Sequence, residues 1–165
     1  MIGKIKNEIA TKMRLKFPDY NKKFILECDA SDIGIGSVLR QEDRIIGYFS
    51  KKLQGAELNY SIVEKEYLAI LLSLIHFQKI IQGSYTEAYT DSRNCIYESK
   101  KTTSRINRWK LLMNEFNYKK VHIKGEDNVI ADHLSRCFHI QTNKLEEDYR
   151  DAINENSEKK RGRLL

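Results

Sequence analysis

One segment in the middle of the chain limits the possible folds most strongly. Between Ser61 and Gln82 the sequence is apolar on most sides of a helix. Ser61 is followed three residues later by Glu64, the capping-box pattern in which two side chains satisfy backbone donors at a helix start. Gly83 provides a suitable end. A helix this apolar needs cover on most sides, so we predict a buried helix that packs across a β-sheet.

Strand patterns precede and follow this helix. A polar turn at Glu42-Asp43 between two of them indicates an antiparallel hairpin. The order of elements predicts an α/β domain with a mixed five-stranded sheet covered by helices. The predicted strands are Lys23–Asp29, Ile35–Gln41, Arg44–Ser50, Glu87–Asp91 and Tyr118–Lys124. Two further helices are predicted, one capped by Ser104 and a short one over Asn128–Ser135.

Length and composition fit one domain with flanking segments. The chain has 165 residues, of which 41% are hydrophobic and 32% charged, which suffices for a buried core. We expect the domain to cover residues 22–138, with a polar, partly disordered tail over residues 139–165. No apolar run reaches the ~18 residues of a membrane helix, and no secretory signal is present. Three cysteines without a C-x-x-C pair predict a reducing, intracellular location.

The positive charge is concentrated in one segment. From Tyr97 to Lys124 there are eight basic and two acidic residues, a difference that equals the net charge of +6 of the whole chain. Such a basic segment indicates a polyanionic partner, most commonly nucleic acid. On charge alone, a solvated helix face is an equally good interpretation.

Four acidic residues stand in unusual places. Asp29 and Asp91 end apolar strands, Glu66 lies early in the apolar helix, and Asp132 lies between apolar neighbours. Each of them taken alone is best explained as a cap or a surface carboxylate. The set and its sequence context indicate a shared site.

That context resembles a known family. The ribonuclease H domain of reverse transcriptases, in particular of the Ty3/gypsy class of LTR retrotransposon polyproteins, has similar motifs over about residues 18–136. The matching motifs are Asp29-Ala30-Ser31 with Gly34-Ile35-Gly36, Asn59-Tyr60 before Glu64-Lys65-Glu66, Thr90-Asp91-Ser92, Arg108-Trp109, and Ala131-Asp132-His133-Leu134-Ser135-Arg136. The resemblance implies a ribonuclease-H-like fold, with three antiparallel strands followed by parallel ones.

The resemblance also implies a reaction and its cofactors. The four acids Asp29, Glu66, Asp91 and Asp132 would bind two Mg²⁺ or Mn²⁺ ions, which suit hard oxygen ligands. The domain would hydrolyse the RNA strand of RNA–DNA hybrids by a two-metal mechanism. By analogy, Asp29 bridges both ions, Glu66 and Asp91 hold the product-side ion, and Asp132 holds the water-activating ion. Glu64 is the rival of Glu66, but it already has a capping role.

Candidate substrate-binding residues surround these acids. Ser92, Arg93 and Asn94 follow Asp91 and are expected at the scissile strand. Basic side chains of the second helix and the last strand are expected at backbone phosphates, namely Arg105, Arg108, Lys110 and Lys124. Trp109 is interpreted as a core residue rather than a stacking platform. Gly34 and Gly36 would allow close approach of nucleic acid, and a bulge or tight packing within the fold explains them equally well.

Two features leave alternatives open. The loop over residues 124–128 contains no histidine, whereas cellular members of this superfamily use one there, so a proton-transfer or product-release helper stays unassigned. No Tyr-x-Asp-Asp polymerase signature occurs, so we expect residues 1–21 to be a remnant of a polymerase connection and the chain to be a piece of a polyprotein. A non-catalytic connection or domesticated module that binds nucleic acid is one alternative. A transposase or integrase on the same general fold is the other.

Overall fold

A mixed five-stranded sheet forms the centre of the computed structural model, which describes residues 15–97 and 102–138. Its strands are β1 (Phe24–Ala30), β2 (Gly34–Gln41), β3 (Arg44–Lys52), β4 (Thr86–Thr90) and β5 (Tyr118–His122). They lie in the order β3-β2-β1-β4-β5. The pairs β1–β2 and β2–β3 are antiparallel, whereas β1–β4 and β4–β5 are parallel. The predicted α/β architecture is therefore confirmed, with strand ends shifted by one or two residues.

Some predictions fall outside the described residues. These are the tail over residues 139–165, most of the segment 1–21, and Lys100 and Lys101 of the basic segment.

The long apolar helix is shorter than predicted. Helix α1 (Ile62–His76) begins at the predicted capping box, in which the Glu64 N–H donates to Ser61 Oγ and the Ser61 N–H donates to a Glu64 carboxylate oxygen. The helix ends at His76, and a separate short helix α2 follows over Gln78–Ile81. The ring of Phe77 lies over Gly47 of β3, where an added Cβ would come within 2.8 Å of it. The Phe77 ring is buried in the core at this interruption, which the sequence pattern did not show.

The remaining helices also differ in detail from the prediction. Helix α4 (Ser104–Met113) is capped by Thr103, whose Oγ accepts the Ile106 N–H, so the prediction of Ser104 as the cap is wrong by one residue. A short helix α3 (Arg93–Ile96) was not predicted. Helix α5 covers residues 129–138 and is longer than the predicted Asn128–Ser135.

Helix α5 lies directly on strand β2. A Cβ at Gly36 would lie 2.4 Å from the Ser135 nitrogen and 2.5 Å from the Ala131 oxygen, and one at Gly34 would lie 2.5 Å from the Ser135 oxygen. These two glycines therefore serve close packing of a helix on the sheet. That settles the choice left open by the sequence in favour of packing within the fold.

Among residues 15–97 and 102–138, no helix combines the length and the apolar character needed to cross a membrane.

Candidate metal centre

Three of the four predicted acids meet at one end of the sheet. Asp29 lies near the end of β1, Asp91 directly follows β4, and Glu66 lies in the second turn of α1. Because β1 and β4 are adjacent and parallel, their carboxyl ends reach the same edge of the sheet. One carboxylate oxygen from each of Asp29, Glu66 and Asp91 lies within 4.8 Å of the other two. We call these three residues the acidic cluster.

Burial and mutual repulsion change the protonation of the cluster. Asp29 is only 5% exposed to solvent, and Glu66 only 7%. Burial raises the pKa of Glu66 to about 9, with further contributions from Asp29 and Asp91. Burial also raises the pKa of Asp29 to about 6, against the hydrogen bond from Ser135, which lowers it. Without a cation Glu66 therefore retains a proton at neutral pH that a bound cation would displace.

The cluster suits a divalent cation of the oxygen-binding type. Glu66 Oε2 is buried and has no hydrogen-bond partner among the described residues. An orphaned buried oxygen beside two further carboxylates is an unfavourable arrangement unless a proton or a cation compensates the charge. The donor set is all oxygen and anionic, which matches Mg²⁺ or Mn²⁺ rather than a thiolate-binding metal.

The fourth predicted acid, Asp132, has another partner. Its Oδ1 accepts a hydrogen bond of 2.7 Å from Nε of Arg136, one turn later on α5. Among the described residues, Asp132 is not one of the acids whose carboxylate oxygens lie within 4.8 Å of one another. Its charge nevertheless acts to raise the pKa of Asp29.

Glu64 is fully engaged elsewhere. It accepts hydrogen bonds from Ser61, from Thr103 Oγ at 3.1 Å and from Arg105 Nη1 at 2.7 Å. Burial acts to raise the pKa of Glu64, but these hydrogen bonds outweigh it and the net pKa is lowered. This glutamate therefore links the start of α1 to the start of α4, while Glu66 is the one that joins the cluster.

Sequence reasoning missed two side chains that tie α5 to β1. Ser135 Oγ donates to Asp29 Oδ2 at 2.6 Å, and Asn128 Nδ2 donates to the Cys28 carbonyl oxygen at 3.0 Å. Both residues are buried, Ser135 at 0% exposure. The available signal was the position of Ser135 four residues after buried Ala131, which places a polar residue on the buried face of a helix.

The predicted substrate-binding residues fall into two groups. Arg93, Asn94, Arg108 and Lys124 are exposed, and Ser92 is half-buried. Arg105 and Lys110 are half-buried and make internal contacts. The Arg105 guanidinium lies 4.1 Å from the centre of the Tyr60 ring and pairs with Glu64, while Lys110 Nζ lies 5.6 Å from the centre of the Tyr67 ring. These internal contacts make Arg105 and Lys110 parts of the fold as well as of the basic segment.

Two further predictions concern Trp109 and the loop before α5. Trp109 packs against the core, with its ring 5.8 Å from that of Tyr60, which agrees with the core interpretation. The loop after β5 forms a short 3₁₀ turn over Gly125–Asp127. A Cβ at Gly125 would lie 3.2 Å from Asp91 Oδ2, so this histidine-free loop runs beside the acidic cluster.

Comparisons of the sequence agree on one family. The profile of the family described as "RNase H-like domain found in reverse transcriptase" matches residues 19–116, more than half of the chain and ending before Asp132. The transposon polyproteins Tf2-3 and Tf2-4 of Schizosaccharomyces pombe are 38% identical to this chain over 146 residues. The alignment covers 82% of this chain but only 11% of each polyprotein, so the chain spans about a tenth of these relatives.

Solved structures show the same fold at low sequence identity. The native prototype foamy virus protease-reverse transcriptase has a TM-score of 0.61 and 15% identity, over 74% of this chain and 18% of that one. RNase H1 from the halophilic archaeon Halobacterium salinarum has a TM-score of 0.52 and 18% identity, over 68% of this chain and 92% of that one. A foamy viral protease-reverse transcriptase in complex with an RNA/DNA hybrid has a TM-score of 0.57 and 17% identity, over 72% and 18%. Together with the sequence match, these findings place the chain in the family of RNase H-like domains found in reverse transcriptases.

Proposed function

We propose that this domain hydrolyses the RNA strand of RNA–DNA hybrids and depends on Mg²⁺ or Mn²⁺. The observation that carries the proposal is the acidic cluster, three carboxylates within 4.8 Å with an orphaned buried oxygen on Glu66. Structural carboxylates of a stable fold are normally paired or hydrogen-bonded, so such a cluster indicates a site kept for a cation. Membership of the family and the fold shared with a reverse transcriptase bound to an RNA/DNA hybrid support the same function.

In this proposal Asp29, Glu66 and Asp91 hold the cations, and Asp132 serves as the fourth ligand. When bound, a pair of such ions supplies an activated water and stabilises the leaving oxygen of an in-line phosphoryl displacement. The chain itself contributes a partly desolvated set of carboxylates in fixed positions. Arg136 forms a 2.7 Å ion pair with Asp132.

The substrate-facing residues proposed here adjoin the cluster. Ser92, Arg93 and Asn94 lie directly after Asp91, at the beginning of α3. Arg108 and Lys124 supply exposed positive charge for backbone phosphates. Since the relatives are transposon polyproteins, we also propose that the domain works beside a polymerase part of the same polyprotein, within the cell or a virus-like particle.

A second candidate function is a non-catalytic module that binds nucleic acid. The observation that favours it is the pairing of Asp132 with Arg136, which leaves three rather than four carboxylates in the cluster. In such a module the basic segment would bind the hybrid and no cleavage would follow.

A cleavage assay separates the two functions. The purified chain is incubated with end-labelled RNA–DNA hybrid in Mg²⁺ or Mn²⁺, with duplex RNA and duplex DNA as substrate controls. We expect hybrid-specific cutting that is lost in Asp29→Asn and retained in Asp32→Asn, which changes an exposed aspartate outside the cluster. Circular dichroism verifies that both variants fold. Hybrid binding without cutting by the unmodified chain would contradict the nuclease proposal and support the non-catalytic module.

A further inference from the structure

Ser135 occupies an unusual position for a hydroxyl group. It is fully buried on α5, and its Oγ lies 2.6 Å from Asp29 Oδ2 and 2.8 Å from the Asp132 carbonyl oxygen. A serine hydroxyl has one proton to donate. The ionised carboxylate is the stronger acceptor, because charge-assisted hydrogen bonds are shorter and stronger than neutral ones. The short distance to Asp29 agrees with this choice.

The backbone around Ser135 is held in place independently. Ser31 Oγ donates to the Ser135 carbonyl oxygen at 2.6 Å, and the same oxygen atom of Ser31 accepts the Gly34 N–H at 3.0 Å. Gly34 and Gly36 allow the helix backbone to approach β2 closely at this point. The Ser135 hydroxyl therefore projects from a backbone that the β1–β2 connection holds in place. Its acceptor, Asp29, is 106 residues away along the chain.

We infer that Ser135 is a positioning residue, whose hydroxyl holds the Asp29 carboxylate in the orientation that the acidic cluster needs to bind a divalent cation. The inference rests on the proposed metal site. Without the hydroxyl, the Asp29 side chain is free to rotate about its terminal torsion, which is broad for carboxylates. Outer partners of metal ligands typically contribute 10- to 100-fold to metal affinity or activity.

The structure offers a matched control for Ser135. Ser50 Oγ donates to the Leu134 carbonyl oxygen at 2.8 Å and so anchors the same helix. Its other neighbour is Cys137 Sγ at 3.3 Å rather than a member of the acidic cluster. Ser135→Ala and Ser50→Ala each remove one hydroxyl group that links α5 to the sheet. A purely structural role of Ser135 would give the two variants similar properties.

The experiment measures Mn²⁺ binding by isothermal titration calorimetry, along with unfolding temperature and cleavage kinetics. We expect Ser135→Ala to bind Mn²⁺ about 10- to 100-fold more weakly than the unmodified chain. Its kcat should fall at saturating hybrid while KM changes little, and Ser50→Ala should keep the original Mn²⁺ affinity. Equal Mn²⁺ affinities of Ser135→Ala and the unmodified chain, or equal losses in both variants, would overturn the inference.

This readout separates the inference from the proposed function. Weaker Mn²⁺ binding by Ser135→Ala in a chain that does not cleave hybrids would support the positioning role and contradict the nuclease. If the unmodified chain cleaves hybrids and Ser135→Ala binds Mn²⁺ as tightly as the unmodified chain, the nuclease would be supported and the positioning role overturned.

Discussion

Two glutamates of α1, only two positions apart, have opposite roles. In an α-helix, residues two positions apart are separated by about 200° around the helix axis, so Glu64 and Glu66 project to different sides. Glu64 meets Ser61, Thr103 and Arg105, whereas Glu66 meets Asp29 and Asp91. The same side chain is therefore a cap in one position and a candidate ligand in the other, and the surroundings decide which.

The buried carboxyl of Glu66 makes the stability of the metal-free protein depend on pH. Its folded pKa of about 9 lies above the ordinary 4.5, so the folded state binds the proton more tightly than the unfolded state. The free energy of unfolding therefore falls as pH rises between these values, by at most about 1.4 kcal/mol per unit. We expect Glu66→Gln to reduce this fall in EDTA, as measured by urea unfolding at pH 6, 7 and 8. Asp32→Asn is the control, and an unchanged slope in Glu66→Gln would contradict the prediction.

At the scale of elements, the contact between α5 and β2 determines whether the last helix reaches the site. Gly36 lies beneath Ala131, Leu134 and Ser135, with no room for a Cβ. The sequence predicted a helix in this region and offered two interpretations of the glycines. It did not predict which strand the helix would cover, because helical periodicity describes one face of an element and not its partner.

Replacing Gly36 by alanine should displace α5. The added Cβ would lie 2.4–2.6 Å from backbone and Cβ atoms of the helix, so the helix has to move and part of the core contact is lost. We expect a loss of about 1–3 kcal/mol in the free energy of unfolding, as for other overpacked sites. Chemical denaturation measures it, with Ser37→Ala as the control because the buried Ser37 hydroxyl has no partner among the described residues. A Gly36→Ala variant as stable as the control would show that α5 is not packed as described.

The start of α1 was predicted correctly from the sequence, but its end was not. The capping box of α1 is a short-range motif, and its two hydrogen bonds form as expected. Its premature end at Phe77 was missed, since the ring is buried over Gly47 of β3, a contact between distant parts of the chain. Similarly, β1 has an alternating sequence but is buried throughout Phe24–Asp29, because both faces of this central strand are covered.

For the whole molecule, the excess positive charge and the acidic cluster lie in different segments of the chain. The excess charge of the chain lies between Tyr97 and Lys124. Part of it is used internally, since Arg105 is paired with Glu64, while Arg108 stays exposed. The two arginines are therefore not equivalent, although the sequence analysis assigned both of them to backbone phosphates.

Arg108 and Arg105 should respond differently to substitution. We expect Arg108→Ala to weaken hybrid binding at low salt and to reduce the slope of log K against log salt by about 1, with unchanged stability. Arg105→Ala should also lower the unfolding temperature, because it removes a charged partner of Glu64. Fluorescence anisotropy over a series of KCl concentrations measures the slopes, with Arg44→Ala on β3 as a control outside the basic segment. If the slopes for Arg108→Ala and Arg44→Ala are the same, Arg108 does not lie on the surface that binds the hybrid.

The sequence by itself determined the class of fold, the order of strands and helices, the family and the identity of the candidate acids. Periodicity, caps and short motifs are local properties of the chain, so they can be recognised from short stretches of sequence. The resemblance already implied one site for Asp29, Glu66 and Asp91, and the structure brings their carboxylates together. Only the tertiary structure decided that Asp132 pairs with Arg136 and that Ser135 binds Asp29. The bond between Ser135 and Asp29 joins residues 106 positions apart, and its existence depends on how closely α5 lies on β2. Such contacts result from the packing of whole elements, which no short stretch of sequence contains.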